Sequence, residues 1–165
     1  VPFCFIPFNR TGESQREGIE VSGRAILMDG LSLGVAYTYL KAREDNGQEE
    51  VRRAPHSGRA DINYAFDGGK GNINLAAVYN GEMQDVAFSA ITFSSQRVAL
   101  DEYWLVTAAA SYKVAPGVEL YGRVENVLDE DYQEVFGFET AGVAAYAGVR
   151  INYEEPSTLS WSQYK

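Results

Sequence analysis

The stretch at residues 31–43, LSLGVAYTYLKAR, has a pattern that repeats at every second residue. In an extended chain, its apolar side chains fall on one face and its small or polar side chains fall on the other. The first face carries Leu33, Val35, Tyr37 and Tyr39, and the second carries Ser32, Gly34, Ala36 and Thr38. A helix would instead repeat its apolar residues every three or four positions. This stretch therefore predicts a β-strand with one apolar face.

Six further stretches alternate in the same way, and the first of them does so more weakly than the rest. They lie at residues 15–27, 57–66, 72–82, 102–114, 118–128 and 143–153. Together with 31–43 they predict seven strands, and residues 1–8 are a candidate end of an eighth. Strands of soluble proteins usually have about 5–6 residues, whereas a tilted strand that crosses a membrane needs about 9–11. The length of these strands therefore favours a membrane protein.

The connections between the strands alternate strictly between short and long. Tight turns that contain glycine lie at 28–30, 67–71 and 115–117, and long links lie at 44–55, 83–101 and 129–142. Outer-membrane β-barrels have short periplasmic turns and longer external loops. The pattern therefore predicts that the long links face the outside of the cell and that the last strand ends on the periplasmic side.

Aromatic residues on the apolar faces cluster towards the two ends of the predicted strands. The external ends carry Tyr39, Tyr79 and Trp104, the periplasmic ends carry Tyr64, Phe66, Tyr112 and Tyr153, and the middle holds Ala77, Ala108, Ala110 and Val149. Two aromatic girdles that flank an apolar band are typical of outer-membrane barrels.

Alternation alone leaves open which face meets water. A soluble lipocalin-like barrel or a β-sandwich has the same period with its apolar face turned inward. A β-propeller is a weaker alternative, because each blade needs four short strands. Strand length, turn asymmetry and the girdles together favour an all-β fold, an antiparallel transmembrane β-barrel of about seven to eight strands.

Composition argues against several other classes of protein. The net charge of −9 argues against a nucleic-acid partner. The single cysteine, Cys4, allows no internal disulfide, and no stretch of 18 apolar residues predicts a membrane helix. The opening VPFCFIPFNR lacks the pattern of a signal peptide, which suggests a chain processed or cut from a longer one.

Chemistry-bearing motifs are few. The only histidine, His56, has no neighbouring Cys or His ligand, and no Gly-x-Ser-x-Gly motif accompanies it, so neither a metal site nor a hydrolase is expected. The acidic run Asp129–Asp131 is predicted to be a solvated turn with capping carboxylates rather than a cation site. No cofactor is expected.

Several segments resemble those of TonB-dependent outer-membrane receptors. They are GESQREGIEVSG (12–23), DGLSLGVAYTYLKAR (29–43), RRAPHSGRADINY (52–64), GRVENVLDEDYQEVFGF (122–138) and YAGVRINY (146–153). Their order and spacing agree with the closing strands of such barrels, which usually stop at the aromatic residue corresponding to Tyr153. The polar residues 154–165 depart from that pattern.

The resemblance implies energy-coupled import of a scarce ligand, such as a ferric siderophore or vitamin B12, across the bacterial outer membrane. The implied partners are membrane lipid, an N-terminal plug, the remaining strands of a barrel of about 22 strands, and an energy-coupling protein that acts on the missing N-terminal part. We expect 1–14 to end a preceding strand and loop, 15–153 to form barrel strands and 154–165 to be a tail. The alternative is a small self-contained outer-membrane barrel with a structural or adhesion role.

Two groups of residues are candidates for contacts in such a receptor. The polar faces should line the lumen, where some charges would contact the plug or ligand path and others would form a satisfied network. These lumen residues are Glu20, Arg24, Arg59, Asp61, Lys113, Glu119, Arg123 and Glu125. The long links should help to form the ligand entrance, with Phe88, Phe93, Phe136 and Phe138 as candidate ligand contacts.

Overall fold

The computed structural model describes residues 12–153, which form nine β-strands and one short 3-10 turn. The candidate eighth strand at 1–8 and the tail at 154–165 lie outside the described residues. The strands are β1 (Gln15–Met28), β2 (Leu31–Arg43), β3 (His56–Phe66), β4 (Gly71–Asn80), β5 (Met83–Ser89), β6 (Ser94–Leu100), β7 (Tyr103–Ala115), β8 (Val118–Glu125) and β9 (Ala144–Ile151), and the turn is Asp67–Gly69.

Seven of these strands form one antiparallel sheet in the order β1-β2-β3-β4-β7-β8-β9. Each strand pairs with the next along the chain, apart from the insertion between β4 and β7. Within residues 12–153 no pairing joins β1 to β9, so this part of the chain is an open barrel wall with two free edges. The seven wall strands are those that the period of two predicted.

The long link predicted at 83–101 is mostly a hairpin of its own. Strands β5 and β6 pair from Met83 with Leu100 to Ser89 with Ser94. The sequence at the tip of this hairpin, Ala90-Ile91-Thr92-Phe93, contains none of the Asn-Gly or Asp-Gly pairs that signal a tight turn. The sequence predicted only a long external link here and did not predict this hairpin, which is closed by Phe93 in a left-handed conformation (φ 49°) instead of by glycine.

Strand register places the apolar residues of the wall on a single face. Val35 lies opposite Ala60, Ala60 opposite Ala77, and Ala77 opposite Val106. Because neighbours in register point to the same side of a sheet, these residues form a row across four strands. The next row along the strands is polar or small and includes Asp61, Ala76 and Thr107.

Within the described residues, no second layer covers the apolar face. Val35 and Leu75, for example, remain 49% and 46% exposed. A sandwich or a lipocalin-like barrel would bury such a face inside its core, whereas a membrane barrel turns it towards lipid. The buried apolar residues are instead concentrated at the end of the wall that carries the long connections, among them Ala42, Met83, Leu100 and Tyr103. We call this end the external end, after the prediction from the alternation of short and long connections.

Aromatic contacts occur at both ends of the apolar face. Tyr79 and Trp104 lie with ring centroids 4.8 Å apart at the external end. At the opposite end Phe66 lies 5.9 Å from Tyr64 and 6.2 Å from Tyr112. The two predicted girdles are thus rows of neighbouring rings. Among the described residues, none of the helical structure is long and apolar enough to pass through a membrane.

Candidate functional site

Three long connections meet at the external end of the wall. We call residues 44–55, between β2 and β3, the first connection; residues 81–102, between β4 and β7, the second; and residues 126–143, between β8 and β9, the third. The second contains the β5–β6 hairpin. Because strands of a sheet lie about 4.8 Å apart, connections that leave the same end of neighbouring strands are brought close together.

Asp85, on the β5 strand, links the second connection to the other two. Its side chain is fully buried. Oδ1 accepts a hydrogen bond of 2.8 Å from Nε of Arg52, and Oδ2 accepts one of 2.7 Å from the backbone N–H of Phe136. Burial alone would raise the pKa of the Asp85 carboxyl, but the N–H groups of Phe136 and Val86, together with Arg52, outweigh it, so the pKa lies below its ordinary value.

Two further arginines connect the first connection to its surroundings. Arg97, on β6, lies 2.9 Å from Oε1 of Glu44 and donates a hydrogen bond of 2.6 Å to the carbonyl of Glu49. Arg16, at the external end of β1, binds both carboxylate oxygens of Glu50, at 2.7 and 2.6 Å. The hydrogen bond from Arg16 is the largest cause of the lowered pKa of the Glu50 carboxyl. The first connection is therefore held from both sides.

Asn126 organises the base of the third connection. Its amide donates to the carbonyls of Glu130 (3.0 Å) and Ala141 (3.3 Å), and its Oδ1 accepts from the N–H of Glu130 (2.9 Å). Asn126 is buried and has a positive φ of 48°, a conformation that asparagine tolerates better than most residues. For this reason β8 ends at Glu125 and not at the predicted position 128.

The acidic run at Asp129–Asp131 belongs to the same structure. Oδ1 of Asp129 accepts a hydrogen bond of 3.1 Å from the N–H of Val143 across the base of the connection. This is the capping role that was predicted for the run. Within residues 12–153, no group of three or more His, Cys, Asp or Glu residues is arranged to hold a metal ion.

A cleft of about 580 Å³ lies between the second and third connections. Its lining is mostly polar and includes Tyr132, whose ring lies tilted against that of the buried Tyr103 of β7, with the centroids 4.5 Å apart. The other lining residues are Ala99, Leu100, Asp101, Glu102, Asp131, Gln133, Phe136, Glu139 and Thr140. The cleft has the size of a small-molecule site and lies at the external end of the wall.

The charge of the chain is concentrated around this cleft. The three connections hold thirteen Asp and Glu residues against three arginines. Their formal net charge is therefore −10, while the chain as a whole carries −9. The external end thus has a negative field that the strands and short turns do not share.

The four candidate phenylalanines do not form one cluster. Phe136 lines the cleft and is 45% exposed, with its backbone N–H held by Asp85. Phe138 is more exposed and does not line the cleft. Phe88 and Phe93 meet edge to face at 6.5 Å on the tip of the hairpin, where they are 65% and 82% exposed. The structure therefore brings one of the four to the cleft.

All eight lumen candidates lie on the face opposite the apolar rows. Their ion pairs run mainly along a strand: Arg59 lies 3.8 Å from Asp61, and Arg123 lies 3.2 Å from Glu125. Other contacts cross between strands, from Arg150 to Glu119 (2.7 Å), from Arg24 to Ser32 (3.2 Å), and from Arg123 over the ring of Tyr146 (5.0 Å).

Residues that the sequence did not single out complete these networks. Arg150 pairs with Glu119, and Lys113 lies opposite Glu119 in register. For Glu20, Arg24 and Lys113 no ion pair occurs among residues 12–153. His56 lies on the other face, where its Nδ1 hydrogen-bonds the hydroxyl of Tyr37 at 2.7 Å and its ring neighbours Tyr39. His56 is thus part of the external aromatic girdle.

Comparisons with known proteins agree with this architecture. Residues 1–127 match the family model described as TonB dependent receptor-like, beta-barrel. The chain is 28% identical over 148 residues to the vitamin B12 transporter BtuB of Vibrio cholerae serotype O1, covering 88% of this chain and 23% of the relative. It is 32% identical over 130 residues to BtuB of Photobacterium profundum, covering 78% of this chain and 20% of the relative.

Solved structures show the same fold. The pyoverdine receptor FpvA of Pseudomonas aeruginosa superposes with a TM-score of 0.74 at 19% identity, over 86% of this chain and 22% of the receptor. The ferric-catecholate import receptor Fiu of E. coli gives 0.70 at 20% identity, over 86% and 21%. This chain thus spans about a fifth of the length of the proteins it matches. On the match to the family model and the fold, the chain belongs to the TonB-dependent receptor β-barrel family of the bacterial outer membrane.

Proposed function

We propose that this chain forms part of the barrel wall and the external ligand entrance of a receptor that imports a scarce ligand across the outer membrane. The observation that carries the proposal is the combination of a membrane wall with a cleft of about 580 Å³ between joined external connections. The wall provides a lipid-facing surface, and the cleft provides a concave site that is open to the outside.

The relatives suggest the class of ligand. Two of them are named vitamin B12 transporters, and the solved neighbours include receptors for ferric pyoverdine and ferric catecholates. Cobalamin and ferric siderophores are therefore the ligands to test first. Phe136 is the aromatic residue proposed for ligand contact at the cleft, and Phe88, Phe93 and Phe138 are proposed for contacts away from it.

The proposed partners follow from the lumen face. In a complete barrel, the lumen face would point towards a plug folded inside the wall. Among residues 12–153, Glu20, Arg24 and Lys113 on this face have no ion pair, and such charges need partners or water. We propose that this face contacts such a plug and that transport depends on an energy-coupling protein acting on it. The ion pairs within the wall support the simpler role of a hydrated lumen network for the remaining residues.

Uptake by whole cells tests the proposal. The intact protein is expressed in a strain without its own cobalamin and siderophore receptors, and radiolabelled cyanocobalamin, ferric pyoverdine and a ferric catecholate are supplied, with and without a protonophore. We expect uptake of at least one of them that the protonophore abolishes. Correct assembly is checked by surface proteolysis of the external connections. Assembled protein that raises uptake of none of these probes above that of receptor-free cells would contradict the proposal.

A second comparison tests the role of the cleft. Phe136→Ala should raise the concentration of the transported probe that gives half-maximal uptake, because it removes an aromatic contact from the cleft. Tyr64→Ala, in the periplasmic girdle, should leave that concentration unchanged if the protein assembles to the same level. Equal effects of the two variants would place ligand recognition elsewhere.

A further inference from the structure

We propose that Asp85 joins the three external connections into one cap and positions Phe136 at the cleft. The part that concerns ligand recognition rests on the proposed function above, while the joining of the connections does not. A role of this kind is distinct from a direct contact with ligand, because the carboxylate is fully buried.

The partners of Asp85 show that it acts between connections. Its cross-strand neighbour within the hairpin is Val98, which offers no side-chain donor. Apart from the N–H of the adjacent Val86, the partners of its carboxylate oxygens lie outside the hairpin, at Arg52 in the first connection and at the N–H of Phe136 in the third. One carboxylate thus divides its two oxygens between two other segments of the chain.

The chemistry of the site requires a carboxylate. An ionised carboxylate presents two acceptor oxygens and no donor, whereas an amide presents one oxygen and one NH₂ group. An asparagine could therefore satisfy Arg52 or the N–H of Phe136, but its NH₂ group would face the other donor. Because the Asp85 side chain is buried, the mismatch is costly at Asp85 itself and at the N–H of Phe136, whereas the half-exposed Arg52 can turn to water.

Neighbouring contacts make the hairpin a suitable centre for a cap. The N–H of Arg52 donates to the carbonyl of Gln84 (2.7 Å), and Arg97 on the opposite strand binds Glu44 (2.9 Å). The hairpin is therefore docked on the first connection by both of its strands. The bond from Asp85 to Phe136 extends this unit to the third connection and holds a residue that lines the cleft.

Hydrogen–deuterium exchange on the purified intact protein, without ligand, tests the cap. Asp85→Ala removes both acceptors, so exchange in 130–140 and 48–55 should rise about tenfold or more, the factor that corresponds to 1.4 kcal/mol. Peptides from β3 and β7 should be unchanged. Asp85→Asn should raise exchange in at least one of the two connections. Arg52→Gln should raise exchange in the first connection and leave exchange of the Phe136 amide unchanged. Glu82→Gln, an exposed carboxylate three residues away, is the matched control.

The outcomes separate this proposal from the general function. If Asp85→Ala raises exchange only within the hairpin, the cap does not exist. The same conclusion follows if Glu82→Gln raises exchange in the two connections as much as Asp85→Ala does. With the cap confirmed, Asp85→Ala should raise the cyanocobalamin concentration for half-maximal uptake severalfold and leave the maximal rate unchanged, as expected for a positioning residue. If the unmutated protein imports no cyanocobalamin, cobalamin as the ligand fails, while the exchange result still decides the cap.

Discussion

Asn126 shows how much of the external structure depends on one side chain. It closes the base of the third connection with three hydrogen bonds, to Glu130 and Ala141, in a backbone conformation that suits asparagine. Glu125-Asn126-Val127-Leu128-Asp129, a Glu-Asn-x-x-Asp pattern, lies within the segment 122–138 that resembles TonB-dependent receptors. The structure gives that pattern a physical reason, since Asn126 and Asp129 both bind backbone groups across the connection.

Replacing Asn126 by alanine should loosen the third connection. Loss of the amide leaves the part-buried N–H of Glu130 without its partner, which should lower the free energy of local opening by about 1–3 kcal/mol. Hydrogen exchange of the Glu130 amide measures that free energy. Asn46→Ala, whose hydrogen bonds lie in the exposed first connection, should change stability by less than about 0.5 kcal/mol. Equal losses in the two variants would show that burial of Asn126 has no energetic role.

The two faces of β7 also differ residue by residue. Ala108 lies in the apolar row with Leu75 and Val124, and Thr107 lies on the lumen face beside Ala76. We expect Ala108→Arg to lower the free energy of unfolding of the intact protein in lipid vesicles by about 2–4 kcal/mol, because it places a charge near the centre of the membrane. Thr107→Arg should cost much less, as measured by urea titration. Similar costs would mean that the faces have been assigned incorrectly.

Single elements depend on short turns whose geometry is demanding. The β7–β8 turn places Gly117 at a positive φ of 74°, and its carbonyl accepts a hydrogen bond of 2.7 Å from the N–H of Asn152 beyond the end of β9. A side chain at this position would have both an unfavourable backbone conformation and a collision with the backbone oxygen of Asn152. The turn is therefore tied to its neighbouring strand through a glycine.

A pair of glycine variants separates these two effects. Gly68, in the β3–β4 turn, also has a positive φ (62°), but a Cβ added there would meet open space. Gly68→Ala should therefore cost about 1 kcal/mol, from the backbone conformation alone. Gly117→Ala should cost distinctly more, because the Asn152 carbonyl must also move. Urea unfolding of both variants in lipid vesicles compares their free energies of unfolding. A smaller loss of this free energy for Gly117→Ala than for Gly68→Ala would contradict the close approach of the Asn152 carbonyl to Gly117.

Across the whole molecule, the acidic external end makes the cap dependent on pH. Asp85 and Glu50 both have lowered pKa values, for Asp85 because N–H donors and Arg52 outweigh its burial, and for Glu50 chiefly because of the hydrogen bond from Arg16. A carboxyl whose pKa is lower in the folded state stabilises that state above its unfolded pKa of about 4. The stabilisation is lost as the pH falls through the lower, folded pKa.

The cap should therefore be fully stabilised at neutral pH and should loosen progressively as the pH falls below about 4. A nitroxide spin label at Glu139→Cys, in a Cys4→Ser background, should become more mobile as the pH falls through this range. The barrel strands should remain folded, as checked by circular dichroism. In Asp85→Asn the label should already be more mobile at pH 7 and should respond less to acid. A label whose mobility does not change between pH 7 and pH 3 would contradict the contribution of these carboxylates.

The sequence by itself determined the wall. The period of two, the length of the strands and the alternation of short and long connections are local features, and they predicted the seven wall strands, their faces and the girdles. The membrane environment could be inferred in the same way, because strands of this length with one apolar face and aromatic girdles are typical of outer-membrane barrels.

Only the tertiary structure decided how the external end is organised. The β5–β6 hairpin has no glycine turn from which it could be predicted. The partners of Asp85 lie 33 and 51 residues away along the chain. No local pattern encodes such contacts, since they arise only once the wall has brought the connections to one end. Local sequence therefore does not distinguish Asp85, which is one acidic residue in a long link, although it is the fully buried carboxylate on which the proposed cap depends.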